Sequence, residues 1–122
     1  MPVRYSSSSV IVWPKPDQVE QALHIWTEKQ KDEHASLVAV GYFGSYARGD
    51  WGVGSDLDVV VVVDRSETPK DRRTLEWDTC GLPVPVDLFV FTREEWKDLV
   101  RRDTRFARTV RAETRWILRE DI

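Results

Sequence analysis

The stretch GSYARGDWGVGSDLDVVVVV, Gly44 to Val63, changes character midway. Its first half is glycine, small side chains and charge; its second half is a run of valines. Asp56 and Asp58 stand at the junction, on either side of Leu57. Successive side chains of a strand point to opposite faces, so both acids share one face and Leu57 turns into the core. A carboxylate beside so much apolar surface carries a desolvation cost that something must offset. The valine run also decides the fold class, because consecutive β-branched residues suit a strand buried on both faces.

Working outward, Ser36 to Phe43 (SLVAVGYF) reads as a second buried strand ending at Gly44. Val84 to Phe91 (VPVDLFVF) reads as a third, with Pro83 and Pro85 tolerated only near its start or at an edge. Asp17 is the expected N-cap of a helix reaching about Glu33, since Val19, Ala22, Leu23 and Trp26 recur at helical spacing. Before it, Val10 to Trp13 reads as a short edge strand or an arm, and Ser6 to Ser9 as a mobile leader. Pro69 to Cys80 is a polar connection with a helical turn or two around Arg72 to Trp77. Thr92 is another expected N-cap. Beyond it, Leu99, Phe106, Val110 and Ile117 would share one face of a continuous helix, opposite Arg101, Arg105, Arg108, Arg115 and Arg119. Residues 114–119 can instead form a terminal strand, the preferred reading because Thr114 weakens a helix there. The expected fold is α/β (α+β): a small mixed β-sheet with helices packed mainly on one face.

Residues 1–122 are expected to form one domain, with 1–13 as an N-terminal arm. Charged residues make up 32% and the net charge is −3, a balance that argues against wholesale nucleic-acid binding. A lone Cys80, no apolar run of membrane-spanning length and no signal-peptide pattern lead to a cytoplasmic expectation. His24 and His34 are assigned no chemistry. The six tryptophans are expected in the core or on a partner surface, Trp13 and Trp51 being the most exposed.

A third acid, Asp87, lies within the strand Val84–Phe91. If that strand neighbours the valine strand, Asp56, Asp58 and Asp87 converge on one face of the sheet. Close like charges repel unless a multivalent cation neutralises them. Oxygen-only ligands favour a hard ion such as Mg²⁺, which borrows further oxygens from a substrate phosphate. Gly44-Ser45 ends the preceding strand, where backbone N–H groups and the serine hydroxyl can bind an anion. Arg48 lies one turn on, able to reach a phosphate or to brace the loop, and Ser55 can orient the turn before Asp56. A phosphate grip meeting a metal grip points to phosphoryl or nucleotidyl transfer.

Gly44-Ser45, ten intervening residues, then Asp56-x-Asp58 and a carboxylate in a later strand resembles the nucleotidyltransferase superfamily of DNA polymerase β. The fuller pattern GSYARG…SDLD is most similar to its minimal nucleotidyltransferases and to aminoglycoside nucleotidyltransferases. The resemblance implies two Mg²⁺ ions held by Asp56, Asp58 and Asp87, with Gly44, Ser45, Arg48 and Ser55 around the nucleotide. It implies transfer of a nucleoside monophosphate, from ATP by preference, to an acceptor hydroxyl. Larger relatives carry a further helical domain, and too little chain follows Asp87 here for one. The missing walls are therefore expected from a helical (HEPN-like) partner protein, as in toxin–antitoxin pairs, or from a second copy. The alternative is a non-catalytic module that keeps the fold and neutralises a helical partner by contact alone. Asp87 also has a bland reading, a structural acid buried against an arginine.

Overall fold

The computed structural model describes residues 13–122. The expected leader, Ser6 to Ser9, and most of the expected arm lie outside the described residues. The valine run forms β2 (Leu57–Val63), and it sits inside a four-stranded sheet. β1 (Leu37–Phe43) runs antiparallel to it, pairing Phe43 with Asp58, while β3 (Val86–Thr92) runs parallel on its other side. β4 (Arg115–Arg119) adds antiparallel to β1, giving the order β3-β2-β1-β4. The mixed sheet and the terminal strand agree with the sequence reading.

Helices cover both faces of the sheet, where one main face was expected. The reason is the valine run itself. Val59, Val61 and Val63 pack with Val19, Leu23 and Trp26 of α1 (Pro16–Glu33). Val60 and Val62 pack on the other face with Trp96 of α3 (Arg93–Val100) and Val110 of α4 (Arg105–Glu113). Each buried valine contributes roughly 1.5–3 kcal/mol only if its own face is covered. A run that alternates between faces therefore needs two layers of cover.

Two boundary expectations change. Lys15, not Asp17, is the N-cap of α1. Pro16 takes the first helical position, where no N–H is needed, and Asp17 falls in the first turn with its charge toward the positive end of the helix dipole. The helix after Thr92 is not continuous. Thr92 caps α3 as expected, accepting the Glu95 N–H, but Thr104 caps a new helix by accepting the Ala107 N–H at 3.1 Å. The chain turns between them, and Arg111 seals the end of α3 by donating to the carbonyls of Val100 and Arg102. With the helix divided and residues 115–119 in a strand, the five arginines do not form one helical face.

The connection from β2 to β3 contains the 3₁₀ helix Lys70–Glu76. It is pinned by Arg73, only 6% exposed, whose guanidinium meets Glu95 at 2.5 and 3.2 Å and the Thr68 carbonyl at 2.9 Å. Among the described residues no helix is long and apolar enough to cross a membrane.

Candidate active site

β1 delivers Gly44 to the C-terminal end of the strand, with φ at 83°, a value that side chains rarely allow. A Cβ there would overlap Oδ2 of Asp58. So the glycine is required twice: by its own backbone and by the acid beside it. The chain then makes the short helix α2 (Ser45–Arg48), closed by Gly49. Ala47 and Arg48 donate to the Gly44 carbonyl at 3.0 and 2.9 Å. The N–H groups of Ser45 and Tyr46 find no acceptor among the described residues, so they remain available to an anion.

Tyr46 is buried and donates its hydroxyl to the Pro14 carbonyl at 3.1 Å, while its ring stacks on Trp51 with centroids 5.6 Å apart. These contacts hold the loop 49–55 against the body. Trp13 and Trp51, the tryptophans expected to be exposed, are half-buried and pack on the core, more open than the buried Trp26, Trp77 and Trp96 but not free in solvent. Ser55 accepts the Gly52 N–H at 2.7 Å through its hydroxyl and so shapes the turn before Asp56. Leu57 then enters the sheet by donating to the Pro85 carbonyl at 2.8 Å.

That bond sets the register. Asp58 lies directly beside Asp87 in the parallel ladder, and both point to the face that carries Val60, Val62 and Phe89. Asp56, two residues earlier and exposed, shares that side. Asp58 is half-buried, and its carboxyl is pushed above the usual range by burial first, then by the charges of Asp87 and Asp56; Arg48 pulls the other way. Asp87 is exposed and has no arginine partner among the described residues, which leaves the buried-structural-acid reading without support. Arg48 is held by two carboxylates, Asp50 and Glu113, each at 3.1 Å. Glu113, at the end of α4, also raises Asp58. Sequence reasoning missed Glu113, because nothing local marks an acid fifty-odd residues past the motif as a neighbour of Asp58.

The donor chemistry fits a hard divalent cation. Three carboxylates share one face, and the central one, Asp58, holds its proton more tightly than usual because it is buried and because Asp87 and Asp56 repel its charge. The set is open, since among the described residues no three His, Cys, Asp or Glu side chains are already gathered tightly enough to hold an ion. Substrate oxygens would complete such a shell.

Solved structures share this architecture. A candidate nucleotidyltransferase from Sulfolobus solfataricus is 22% identical over 83% of this chain and 80% of its own, with a TM-score of 0.60. A toxin–antitoxin structure with AMP-PNP is 18% identical over 84% of this chain and 74% of its own, with a TM-score of 0.51. No curated protein matches the chain in sequence. The model of the nucleotidyltransferase domain family matches residues 14–115, from just before α1 to the start of β4 and across every residue of the acidic cluster, and the chain belongs to that family.

Proposed function

We propose that this nucleotidyltransferase moves a nucleoside monophosphate from a nucleoside triphosphate, ATP by preference, to a hydroxyl group on a partner protein. The observation that carries the reading is the in-register pair Asp58 and Asp87, with Asp58 packed against the bare Cα of Gly44. It sets the acids beside a turn whose free N–H groups suit the triphosphate.

In this reading the Ser45 and Tyr46 N–H groups and the Ser45 hydroxyl hold the β- and γ-phosphates. Asp56 and Asp58 face the triphosphate, and Asp87 faces the acceptor. The acceptor oxygen forms a bond to the α-phosphorus as the bond to the bridging oxygen of the β-phosphate breaks; pyrophosphate leaves with that electron pair. Asp87 takes the acceptor proton. Mg²⁺ held by Asp56, Asp58 and Asp87, two ions in the family pattern, would supply charge neutralisation for the attacking and leaving oxygens. Arg48 serves first as a brace between the loop and α4, through Asp50 and Glu113. Ser55 serves the turn rather than the nucleotide. The shared fold with a toxin–antitoxin structure holding AMP-PNP supports a place in such a pair, and the helical partner as acceptor is part of this proposal.

The test is incubation with α-³²P-labelled ATP, Mg²⁺ and the co-purifying partner. The expected result is label on a protein hydroxyl and release of pyrophosphate, both lost in Asp58→Ala. Pyrophosphate release that persists in Asp58→Ala, or label that never leaves ATP, overturns the reading.

A further inference from the structure

β3 is the last strand of the sheet, and its outer edge is unequally covered. The bond from Leu57 to the Pro85 carbonyl sets the ladder so that Pro85, Asp87, Phe89 and Phe91 turn their backbone groups toward β2. Val86, Leu88 and Val90 therefore turn theirs outward. The Val90 carbonyl is met by the Arg73 guanidinium at 3.5 Å. The outward groups of Val86 and Leu88 meet no partner among the described residues. They border a cleft of about 270 Å³ lined by Thr74, Trp77, Thr79, Val86, Asp87 and Leu88.

Proteins normally blunt such an edge with proline, lysine, a bulge or a covering segment. Val86 to Phe89 has no proline, lysine or bulge and only the Asp87 charge, and the covering 3₁₀ helix bonds the edge only at the Val90 carbonyl, its Thr74 standing across the cleft from Val86 and Leu88. The open half of the edge is the half that carries Asp87. We infer that the outer edge of β3 binds an extended segment of the acceptor protein as an added strand, with the acceptor hydroxyl on the residue beside Asp87. The inference rests on the protein-acceptor reading above and specifies how that acceptor is held.

The chemistry selects the occupant. Two N–H and two C=O groups at two-residue spacing are complemented by another extended backbone. Strand alternation then assigns the side chains. The residue beside Asp87 shares its face, so a Ser, Thr or Tyr there is delivered to the acid. Its two neighbours point to the opposite face, onto Trp77, Val86 and Leu88, which pack with the α1-side core. The recognised segment is a hydroxyl residue between two apolar ones.

The probe is a library of nonapeptides with a central tyrosine and randomised neighbours, given α-labelled ATP and Mg²⁺. Labelled peptides are expected to be enriched in apolar residues on both sides of the tyrosine. Backbone N-methylation is then placed either on the tyrosine or on its two neighbours. One placement should cut labelling at least tenfold and the other should leave it, because only alternate N–H groups face the edge. Equal labelling of both N-methylated series, or no apolar enrichment, overturns the inference while leaving nucleotidyl transfer intact. Amide exchange at Val86 and Leu88, read with the same peptides and no nucleotide, separates the two ideas if nothing is labelled. Protection there upholds strand addition and counts against the protein-acceptor reaction; no protection overturns strand addition. Thr74→Trp, which fills the cleft, should abolish peptide labelling and leave Mg·ATP affinity unchanged, and labelling that survives it also overturns the inference.

Discussion

Gly44 and Asp58 compete for one volume, and the glycine yields it. Gly44→Ala should therefore cost about 1–3 kcal/mol of backbone strain and also displace the Asp58 carboxylate. Gly49→Ala is the control, because its φ of 90° is equally unusual but its Cβ would meet nothing within 4 Å. Both variants should melt lower, while only Gly44→Ala loses turnover beyond its loss of folded protein. Asp58 itself acts against the fold. Its raised proton affinity means that the folded state holds a proton the unfolded chain has released. Stability from this group is highest below the ordinary carboxylate range and declines as pH rises through the raised folded value. Asp58→Asn should accordingly raise the melting temperature at neutral pH in chelator, on a scale of roughly 2–8 °C per kcal/mol, and abolish the further rise that Mg·ATP gives the native chain. A lower melting temperature in chelator would contradict this. Asp87→Asn should differ from both. It is exposed and repels Asp58, so melting in chelator should hold or rise slightly and Mg·ATP affinity should stay within a few-fold, while turnover falls about a hundredfold as the proton acceptor is lost.

Among the elements, the 3₁₀ helix between β2 and β3 is tied to α3 by a buried guanidinium. Arg73 joins the 3₁₀ helix to α3 through Glu95, whose carboxyl is held below its usual range by that guanidinium. Glu95 also closes the cap of α3 on Thr92. Glu95→Gln should cost about 3 kcal/mol, the low end for breaking a buried pair because Glu95 keeps contact with water. Urea denaturation at neutral pH measures it. This pair was not legible in the sequence: Arg73 reads as one charge among several in a polar connection, and only the fold encloses it. β1, β2 and β3 were legible because their apolar runs have no polar alternative use, and the Asp56–Asp58 alternation follows from strand geometry. The division of α3 from α4 was not, since Leu99, Phe106 and Val110 keep helical spacing across the break. The cap at Thr104 decides the matter through one hydroxyl, which competes with a periodicity that would otherwise carry on. Arg48 was legible as a side chain with something to grip. That it grips Glu113 required the last helix to return to the motif.

At the scale of the whole molecule, α1 on one face and α3 with α4 on the other leave the sheet's ends and its β3 edge as the surfaces open to ligands. Nucleotide and cation should bind there jointly, so calorimetry should find ATP at least tenfold weaker in chelator than with Mg²⁺; equal affinities would remove the metal from the site. The parallel register of Asp58 and Asp87 has a further effect, on the order in which the molecule is made. An antiparallel hairpin such as β1–β2 can close early, but a parallel pair waits until its whole crossover is laid down. Asp58 and Asp87 thus become neighbours only once residues 64–85 have been closed and the entropy of that loop has been lost. A ligand that needs both acids has nothing to hold before that closure, and the expectation is that closure follows the transition state. In stopped-flow experiments Mg·ATP should leave the refolding rate almost unchanged and slow unfolding by nearly its full stabilising effect. Bound substrate would then act as a brake on escape from the native state and offer no help in reaching it.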